Sequence, residues 1–305
     1  MSSTEQWPQY RHDVQYSDES RLNTLELCFP RPTTSEHEQL WVIYLHGGAW
    51  QDPEIDASSF RQAQDALLEF PEAEQIAGLA SINYRLSPYP SHPRDPSTRS
   101  DPARNARHPD HVDDVLTAIR HLQQTFAFGN RYILVGHSCG ATLAFQVALD
   151  RQSTSKPSSE PVAGPSRHVI PPIAILGVEG LYDLPALVKY HHNESVYWSF
   201  VTNAFGSVES VWKAVSPTRG DYDATWSDGR LVVIAHSRED ELVEWDQADL
   251  MHQALVSQGW DEARRDRELK VIELRGKHDE VWQTGVELAR AIVFTLQRVT
   301  EQGAG

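Results

Sequence analysis

The segment "RYILVGHSCGATLAF" at residues 131–145 decides the fold class that we expect for this chain. It begins with an apolar, β-branched run, ends with a run of helical character, and carries Gly136, Ser138 and Gly140 between the two. A G-x-S-x-G pattern between a strand and a helix is typical of a sharp turn that pushes the serine side chain out above a sheet. We therefore predict that Ser138 is a nucleophile, with an ordinary buried serine in a tight turn as the alternative.

Short apolar runs recur on both sides of this segment and predict parallel strands. Such runs, rich in β-branched residues, are typical of strands that are buried on both faces of a sheet. They are "LWVIYL" (40–45), "LASINY" (79–84), "PIAILGV" (172–178), "LVVIAH" (231–236) and "LKVIEL" (269–274), with "RLNTLELCF" (21–29) as a weaker candidate for an antiparallel edge.

Segments with helical periodicity separate these runs. Their apolar residues recur at steps of three and four, as on the buried face of a helix. The alternation of strand and helix from residue 40 to residue 299 predicts a doubly wound α/β sheet, and we expect residues 1–305 to form a single domain. The predicted helices cover 58–70, 109–126, 140–150, 244–259 and 280–299.

Two segments rich in Pro and Ser break the alternation, at about 87–109 and 151–168. Neither shows apolar periodicity, so both are predicted to be loop or disordered insertions. A third segment, around 184–213, is crowded with aromatic residues and is predicted to form a cap. Its aromatic side chains either line a pocket for a flat ring or only pack the cap onto the body. The candidate pocket residues are Tyr190, Tyr197, Trp198, Phe200 and Phe205, together with Trp50.

The composition excludes several classes of protein. The formal net charge of −16 disfavours binding to nucleic acids and to anionic membranes, whose phosphates would repel it. Two cysteines, Cys28 and Cys139, are too few for a disulfide framework or a Cys-based metal site. The first twenty residues are polar and no run reaches the roughly 18 apolar residues that span a bilayer, so we expect a cytoplasmic protein.

A serine nucleophile needs a base, which is expected after the last strand. A serine hydroxyl is a poor nucleophile at neutral pH, and in this architecture the acid and then the histidine follow the serine along the chain. His278, in "LKVIELRGKHDEVW", is the last histidine of the sequence and has the chemistry to take and return a proton near neutrality. We predict that it is the base, with a surface histidine at a helix start as the alternative.

The acid is expected on a loop that follows a late strand. The segment "LVVIAHSREDELV" offers Glu239, Asp240 and Glu241 there. Asp240 is the preferred candidate, because its short side chain suits a fixed carboxylate on a loop. Asp183, in "GVEGLYDLP" after the preceding strand, is the alternative. The acidic cluster also fits a solvated loop before a helix.

The segment "LWVIYLHGGAW" at 40–50 ends a buried strand on two glycines. When a serine attacks a carbonyl, the oxygen becomes negative and needs donors that are fixed in advance. Main-chain N–H groups after the third strand, and that of the residue after the serine, meet this need. We therefore predict an oxyanion hole formed by Gly48, Ala49 and Cys139, with His46 and Trp50 bracing the loop.

Together these motifs resemble the α/β-hydrolase superfamily over nearly the whole chain. Related lipases and carboxylesterases usually carry a third glycine where this chain has Ala49. The pattern is most similar to the fungal type of kynurenine formamidase. The residues that carry this resemblance are "HGGAW" (46–50), "NYRLSP" (83–88), "HPDHVDDVLTAI" (108–119), "GHSCGA" (136–141), "HSREDELV" (236–243) and "GKHDEVW" (276–282).

The resemblance implies a mostly parallel sheet of about eight strands with a small helical cap. It also implies hydrolysis of N-formyl-L-kynurenine to L-kynurenine and formate by Ser138, Asp240 and His278, without a metal or cofactor, and a homodimer. A general carboxylesterase for small acyl esters is a close alternative. A hydrolase-fold binding protein without turnover is another, although such proteins tend to lack one member of the triad.

Overall fold

A computed structural model describes residues 6–32, 39–149, 168–260 and 267–303. Within these ranges eight strands form one sheet in the order β1-β2-β4-β3-β5-β6-β7-β8. The pairs β1/β2 and β2/β4 are antiparallel and the other pairs are parallel, which confirms the predicted sheet. The strands are β1 (Gln9–Gln15), β2 (Thr24–Phe29), β3 (Leu40–Leu45), β4 (Ile76–Ile82), β5 (Tyr132–His137), β6 (Ala174–Val178), β7 (Leu231–Ser237) and β8 (Glu268–Leu274).

Helices cover both faces of the sheet. The described α-helices are α1 (Arg61–Leu68), α2 (Asp110–Phe126), α3 (Cys139–Ala148), α4 (Leu184–Tyr190), α5 (Ser195–Phe205), α6 (Glu209–Val215), α7 (Tyr222–Thr225), α8 (Asp246–Val256), α9 (Glu280–Gln283) and α10 (Val286–Gly303). The apolar sides of α1 and α10 pack in one core cluster, and those of α2, α3 and α8 pack in the cluster on the other face. Helices α4, α5 and α6 form the cap. No helix within the described ranges has the length and apolar character that crossing a bilayer requires.

The helix predicted over 280–299 is divided into α9 and α10. The break falls at Gly285, whose φ is +74°. A Cβ at this position would lie 2.3 Å from the main-chain nitrogen of Ala63 in α1, so only glycine fits there. The close approach of α1 therefore ends one helix and starts the next, which apolar periodicity alone does not indicate.

Strand β1 was not predicted from the sequence. Its side chains are mostly exposed, so the segment lacks the apolar alternation that indicates a strand. The strand lies at the edge of the sheet and pairs only with β2, with an irregularity between Arg11 and Val14. Its place in the sheet depends on main-chain pairing and not on a buried face.

The two predicted insertions differ in what the structure describes. Residues 87–109 form an irregular but internally bonded segment, with a 3₁₀ turn at Pro102–Arg104. The Arg104 guanidinium donates to the side chain and the carbonyl of Asp95, each across 2.7 Å. Most of the second insertion, up to residue 167, lies outside the described residues.

The parallel strands place their carboxyl ends at one edge of the sheet. In open α/β sheets this edge carries the ligand and catalytic groups, because the loops that follow the strands meet there. The loops after β3, β5, β6, β7 and β8 carry the predicted oxyanion residues, the serine, a glutamate, the aspartate and the histidine, respectively.

Candidate active site

Ser138 stands at a strained turn between β5 and α3. Its backbone has φ 54° and ψ −124°, which L-residues rarely adopt. Its N–H donates to the Val178 carbonyl across 2.8 Å, and its own carbonyl accepts from the Ala141 N–H at 3.0 Å. These bonds hold the turn, so the hydroxyl is presented at the floor of a cavity.

The two glycines around Ser138 are required by close packing. A Cβ at Gly136 would lie 2.3 Å from the Gly140 carbonyl oxygen. A Cβ at Gly140 would lie 2.2 Å from the Leu45 carbonyl oxygen at the end of β3. The serine turn is thus pressed against the strand whose loop supplies the predicted oxyanion donors.

Asp240 and His278 form a direct hydrogen-bonded pair. The His278 Nδ1–H donates to Asp240 Oδ2 across 2.8 Å. The other oxygen of Asp240 accepts the main-chain N–H groups of Leu242 and Val243 at 2.9 and 2.8 Å, and the carboxylate is fully buried. These donors hold the carboxylate in place, and the carboxylate in turn fixes the orientation and the tautomer of the imidazole.

Ser138 and His278 line the same cavity. Among the described residues no hydrogen bond joins the Ser138 hydroxyl to the His278 ring. The bond between nucleophile and base is often looser in a structure without substrate. The structure therefore brings Ser138, Asp240 and His278 close to one cavity, and the hydrogen bond between Asp240 and His278 is formed.

The acid alternative, Asp183, has a different role in the structure. It is the N-cap of α4, where Oδ1 accepts the Ala186 N–H at 3.0 Å. Its Oδ2 accepts from the Thr218 hydroxyl at 2.9 Å. These bonds occupy the carboxylate away from His278, so Asp240, and not Asp183, is hydrogen-bonded to the imidazole.

Glu179 is an acid of this site that the sequence analysis did not select. It follows β6 directly and its side chain is fully buried. Its Oε2 lies 3.4 Å from His137 Nε2 and 3.6 Å from His278 Nδ1. Burial, followed by the charge of Asp240, raises the pKa of Glu179 to about 10. The signal was present in "GVEGLYDLP", where a glutamate directly follows an apolar strand.

The loop after β3 has three consecutive residues in the left-handed region. The φ values are 91° for Gly48, 50° for Ala49 and 60° for Trp50. Within the described residues, the N–H groups of Gly48 and Ala49 donate to no main-chain carbonyl, and the Ala49 N–H interacts with the Cys139 sulfur. Together with the N–H of Cys139 at the start of α3, they remain the predicted donors for an oxyanion beside Ser138.

Cys139 and Tyr84 bind the loop that follows β3 through hydrogen bonds. Cys139 Sγ accepts the Trp50 N–H at 3.2 Å, and the Tyr84 hydroxyl donates to the His46 carbonyl at 2.9 Å. The His46 and Tyr84 rings stack with centroids 4.3 Å apart. Burial raises the pKa of the Cys139 thiol to about 11, so the sulfur serves as a packing and accepting group.

The cavity above Ser138 has a volume of about 240 Å³. Its walls are largely apolar, which suits a flat, mostly apolar substrate. Two carboxylates, Asp52 and Asp279, also reach it. The apolar walls are formed by Ile55, Leu181, Val196, Phe200, Leu242 and Val243.

Of the six candidate pocket residues, Tyr197 and Phe200 line this cavity, whereas Trp50, Tyr190, Trp198 and Phe205 do not. Tyr190 and Trp198 are 58% and 53% exposed on the outside of the cap. Trp50 and Phe205 are buried and pack edge to face, with ring centroids 5.0 Å apart. Tyr197 is held in place by its hydroxyl, which donates to the Leu242 carbonyl at 2.6 Å.

Two clusters of the described residues bring possible metal ligands close together. His137, Glu179 and His278 place one ligand atom each within 4.8 Å of one another, and so do Asp52, Glu54 and His92. In the first cluster the His278 nitrogen already donates to Asp240. In the second, Asp52 Oδ1 accepts the Glu54 N–H. We assign no metal to either cluster.

The BD-FAE family model matches residues 27–255 of the chain. The kynurenine formamidase-like hydrolase fscH of Fusarium equiseti is 41% identical over 288 residues, which cover 92% of this chain and 91% of that protein. The kynurenine formamidase avaC of Aspergillus versicolor is 34% identical over 92% of this chain and 98% of its own length. The kynurenine formamidase of Meyerozyma guilliermondii is 31% identical over 70% of each chain.

Two solved structures with a similar fold are esterases. An inhibited esterase B from Lactobacillus rhamnosis superimposes with a TM-score of 0.69 at 16% identity, covering 97% of this chain and 88% of that one. A truncated carbohydrate esterase from gut microbiota gives a TM-score of 0.66 at 17% identity over 99% of both chains. At these identities the likeness concerns the fold alone.

Proposed function

Because the chain belongs to the kynurenine formamidases and to the BD-FAE family of α/β-hydrolases, we propose that it hydrolyses N-formyl-L-kynurenine to L-kynurenine and formate. The observation that carries this proposal is the contact between His278 and Asp240 at the cavity that also holds Ser138. A flat aryl formamide matches the apolar walls of that cavity.

In the proposed reaction Ser138 Oγ attacks the formyl carbon and forms the O–C bond. His278 Nε2 accepts the serine proton as the bond forms, because the carboxylate of Asp240 holds the opposite nitrogen and stabilises the resulting imidazolium. The carbonyl oxygen becomes negative and is met by the N–H groups of Gly48, Ala49 and Cys139. Each such donor is worth about 3 kcal/mol of transition-state stabilisation.

Collapse of this intermediate breaks the bond between the formyl carbon and the aryl nitrogen. His278 returns its proton to that nitrogen, so that a neutral arylamine leaves. Water then attacks the formyl-serine with His278 again as the base, which releases formate and restores Ser138. Each step uses side chains and peptide groups of the site, and none requires a metal or cofactor.

Substrate binding is assigned to the cavity walls. Tyr197 and Phe200 are the aromatic residues of the cap that reach the cavity, and we propose that they contact the aryl ring. Trp50, Tyr190, Trp198 and Phe205 do not line the cavity and are not part of this proposal.

Kynurenine production by the purified protein tests the proposal directly. Absorbance follows the conversion of N-formyl-L-kynurenine, and Ser138→Ala, with its fold verified by circular dichroism, is the matched control. We expect turnover by the native chain and its loss in the variant. Faster hydrolysis of simple aryl esters than of the formamide would instead assign a general carboxylesterase. No turnover of either class, together with no labelling by a fluorophosphonate, would assign a binding protein.

Two further properties belong to the same proposal. A cytoplasmic location is supported by Cys28 and Cys139, which are buried and free. A homodimer follows from the resemblance alone, and light scattering after size-exclusion chromatography tests it. Fractionation of cells that express the tagged chain tests the location.

A further inference from the structure

Glu179 occupies an unusual position for an acid. It follows β6 with φ +48°, a backbone conformation that non-glycine residues seldom adopt, and its N–H donates to the Ala235 carbonyl across 2.8 Å. Its side chain is fully buried, and Oε1 has no hydrogen-bond partner among the described residues. Backbone strain and a buried carboxyl oxygen without a hydrogen-bond partner both lower stability. We therefore expect a function for the glutamate at this position.

The contacts of Glu179 point to the histidine of the active site. Its Oε2 lies 3.6 Å from His278 Nδ1, the nitrogen that donates to Asp240 at 2.8 Å. The same oxygen lies 3.4 Å from His137 Nε2, and the rings of His137 and His278 have centroids 4.7 Å apart. Two carboxyl groups, from loops after adjacent parallel strands, therefore approach one imidazole nitrogen.

We propose that Glu179 is a positioning residue for His278 and a reserve acceptor for its Nδ1–H, which takes over when the Asp240 carboxylate is absent. This inference rests on the proposed function only in that His278 is the base for Ser138. It does not depend on which acyl compound is the substrate.

The charge balance of the site explains why both acids are tolerated. Burial, and then the negative charge of Asp240, keep a proton on Glu179, because they raise its pKa to about 10. A second carboxylate beside His278 would hold the imidazole protonated and unable to accept the proton of Ser138. The titratable groups that face Glu179 are Tyr44 of β3, His137 of β5, Tyr182, Asp240 and Glu241 after β7, and His278 and Asp279 after β8.

Removal of the Asp240 charge changes this balance. In Asp240→Asn the second-largest cause of the raised Glu179 pKa is gone, so Glu179 ionises at lower pH. The new amide can offer an N–H to the ring, which favours the wrong tautomer of His278. A Glu179 carboxylate that closes the 3.6 Å gap to Nδ1 restores the right tautomer, with no bond made or broken other than hydrogen bonds.

Three variants of the full-length protein test the proposal: Asp240→Asn, Glu179→Gln and the double variant. We expect Glu179→Gln alone to lose roughly threefold to tenfold, because the amide keeps the neutral contacts with His278 but cannot become a carboxylate. Asp240→Asn should lose roughly a hundredfold, less than the ~10⁴-fold loss known for a triad with a single acid, and adding Glu179→Gln should remove at least about tenfold more. Glu268→Gln, which removes a carboxylate at the far end of β8, is the control and should add nothing to Asp240→Asn.

The pH profile distinguishes a reserve acceptor from a merely structural residue. In Asp240→Asn the remaining activity should rise toward alkaline pH as the Glu179 carboxylate forms, and this rise should vanish in the double variant. The rate of Ser138 labelling by a fluorophosphonate is the readout, because it reports the base without any acyl substrate. Failure to hydrolyse N-formyl-L-kynurenine with normal labelling would therefore refute the proposed function and leave this inference standing.

Two results would overturn the proposal. One is an equal labelling rate and pH profile for Asp240→Asn and the double variant. The other is a Glu179→Gln loss as large as that of Asp240→Asn, which would make Glu179 the primary acid. If variants of Glu179 do not fold, the pH profile of the Ser138 labelling rate in Asp240→Asn alone tests the proposal. A labelling rate that does not rise toward alkaline pH rejects it.

Discussion

The sulfur of Cys139 accepts the main-chain N–H of Trp50 at 3.2 Å and so ties the serine turn to the loop after β3. The loop residues Gly48 and Ala49 have positive φ and would relax if this tie were lost. One residue thus contributes its N–H to the expected oxyanion hole and its side chain to the position of the other two donors.

Cys139→Ala should therefore lower kcat by roughly tenfold to a hundredfold with little change in KM, because misplaced donors affect the transition state more than substrate binding. Steady-state kinetics with N-formyl-L-kynurenine measure both parameters. Cys28→Ala, which removes the other buried thiol, is the control and should leave both unchanged. Equal kinetics for the two variants would show that the sulfur contact is not needed.

Gly140→Ala should destabilise the fold by about 3 kcal/mol or more, since its Cβ would lie 2.2 Å from the Leu45 carbonyl oxygen and neither backbone can move freely. Urea unfolding followed by fluorescence gives the change in unfolding free energy. Gly129→Ala is the control: this glycine has a positive φ, which Gly140 does not, but it has open space around its Cβ, so only a backbone cost of roughly 1 kcal/mol is expected. A similar loss for both variants would contradict the packing argument.

Asp183→Ala should lower the unfolding free energy by about 1 kcal/mol and leave kcat nearly unchanged, because Asp183 caps α4 and does not contact His278. Denaturant unfolding and steady-state kinetics separate the two effects. A loss of turnover as large as that of Asp240→Asn would mean that the acid has been assigned to the wrong residue.

Phe200→Leu should raise KM by roughly fivefold, because Phe200 lines the cavity and the shorter side chain removes part of the apolar wall. Trp198 lies on the exposed side of α5, so Trp198→Ala should not change KM. Kinetics at saturating and limiting N-formyl-L-kynurenine measure the effect. A larger change for Trp198 than for Phe200 would place the substrate outside the cavity.

Two buried histidines predict how stability depends on pH. Burial lowers the pKa of His111 to about 3 and that of His46 to about 4. Below pH ~6.5 the unfolded chain binds protons at these positions that the folded chain does not, so stability is full above that pH and falls as the pH drops toward 4. Each histidine contributes a slope of up to about 1.4 kcal/mol per pH unit in this window.

His111→Gln should flatten this dependence, because the replacement cannot take up a proton in the unfolded state. Unfolding free energies of both proteins between pH 4 and 7 isolate the contribution of His111, since all carboxylates remain in both. Parallel curves would show that His111 is protonated in the folded state or not buried.

Much of the site could be predicted because parallel strands bring their carboxyl ends together. Ser138, Asp240 and His278 each follow a strand that is recognisable by its apolar run, so their order and spacing indicated one edge of one sheet. Glu179 was overlooked because its identity as an acid is clear from the sequence but its burial against two histidines is not. Burial depends on which neighbours the fold places around a residue.

The cap illustrates a different reason for error. Composition marked its aromatic residues as a group, whereas contact with the cavity depends on which face of α5 each one occupies. Tyr197 and Phe200 are three residues apart and share the inner face, but Trp198 points outward. Helical spacing could have separated these residues, whereas the burial of Trp50 beneath Phe205 depends on tertiary contacts that the sequence pattern does not contain.

The position of β8 at the edge of the sheet has a consequence for biosynthesis. The proposed nucleophile follows β5, whereas the proposed base follows β8, which is synthesised later than β5. A nascent chain that has formed the serine turn but not yet β8 would therefore lack the histidine that activates the serine, and we expect it to be inactive toward amides and esters. The first appearance of activity in a synthesis or refolding experiment should then report the docking of β8.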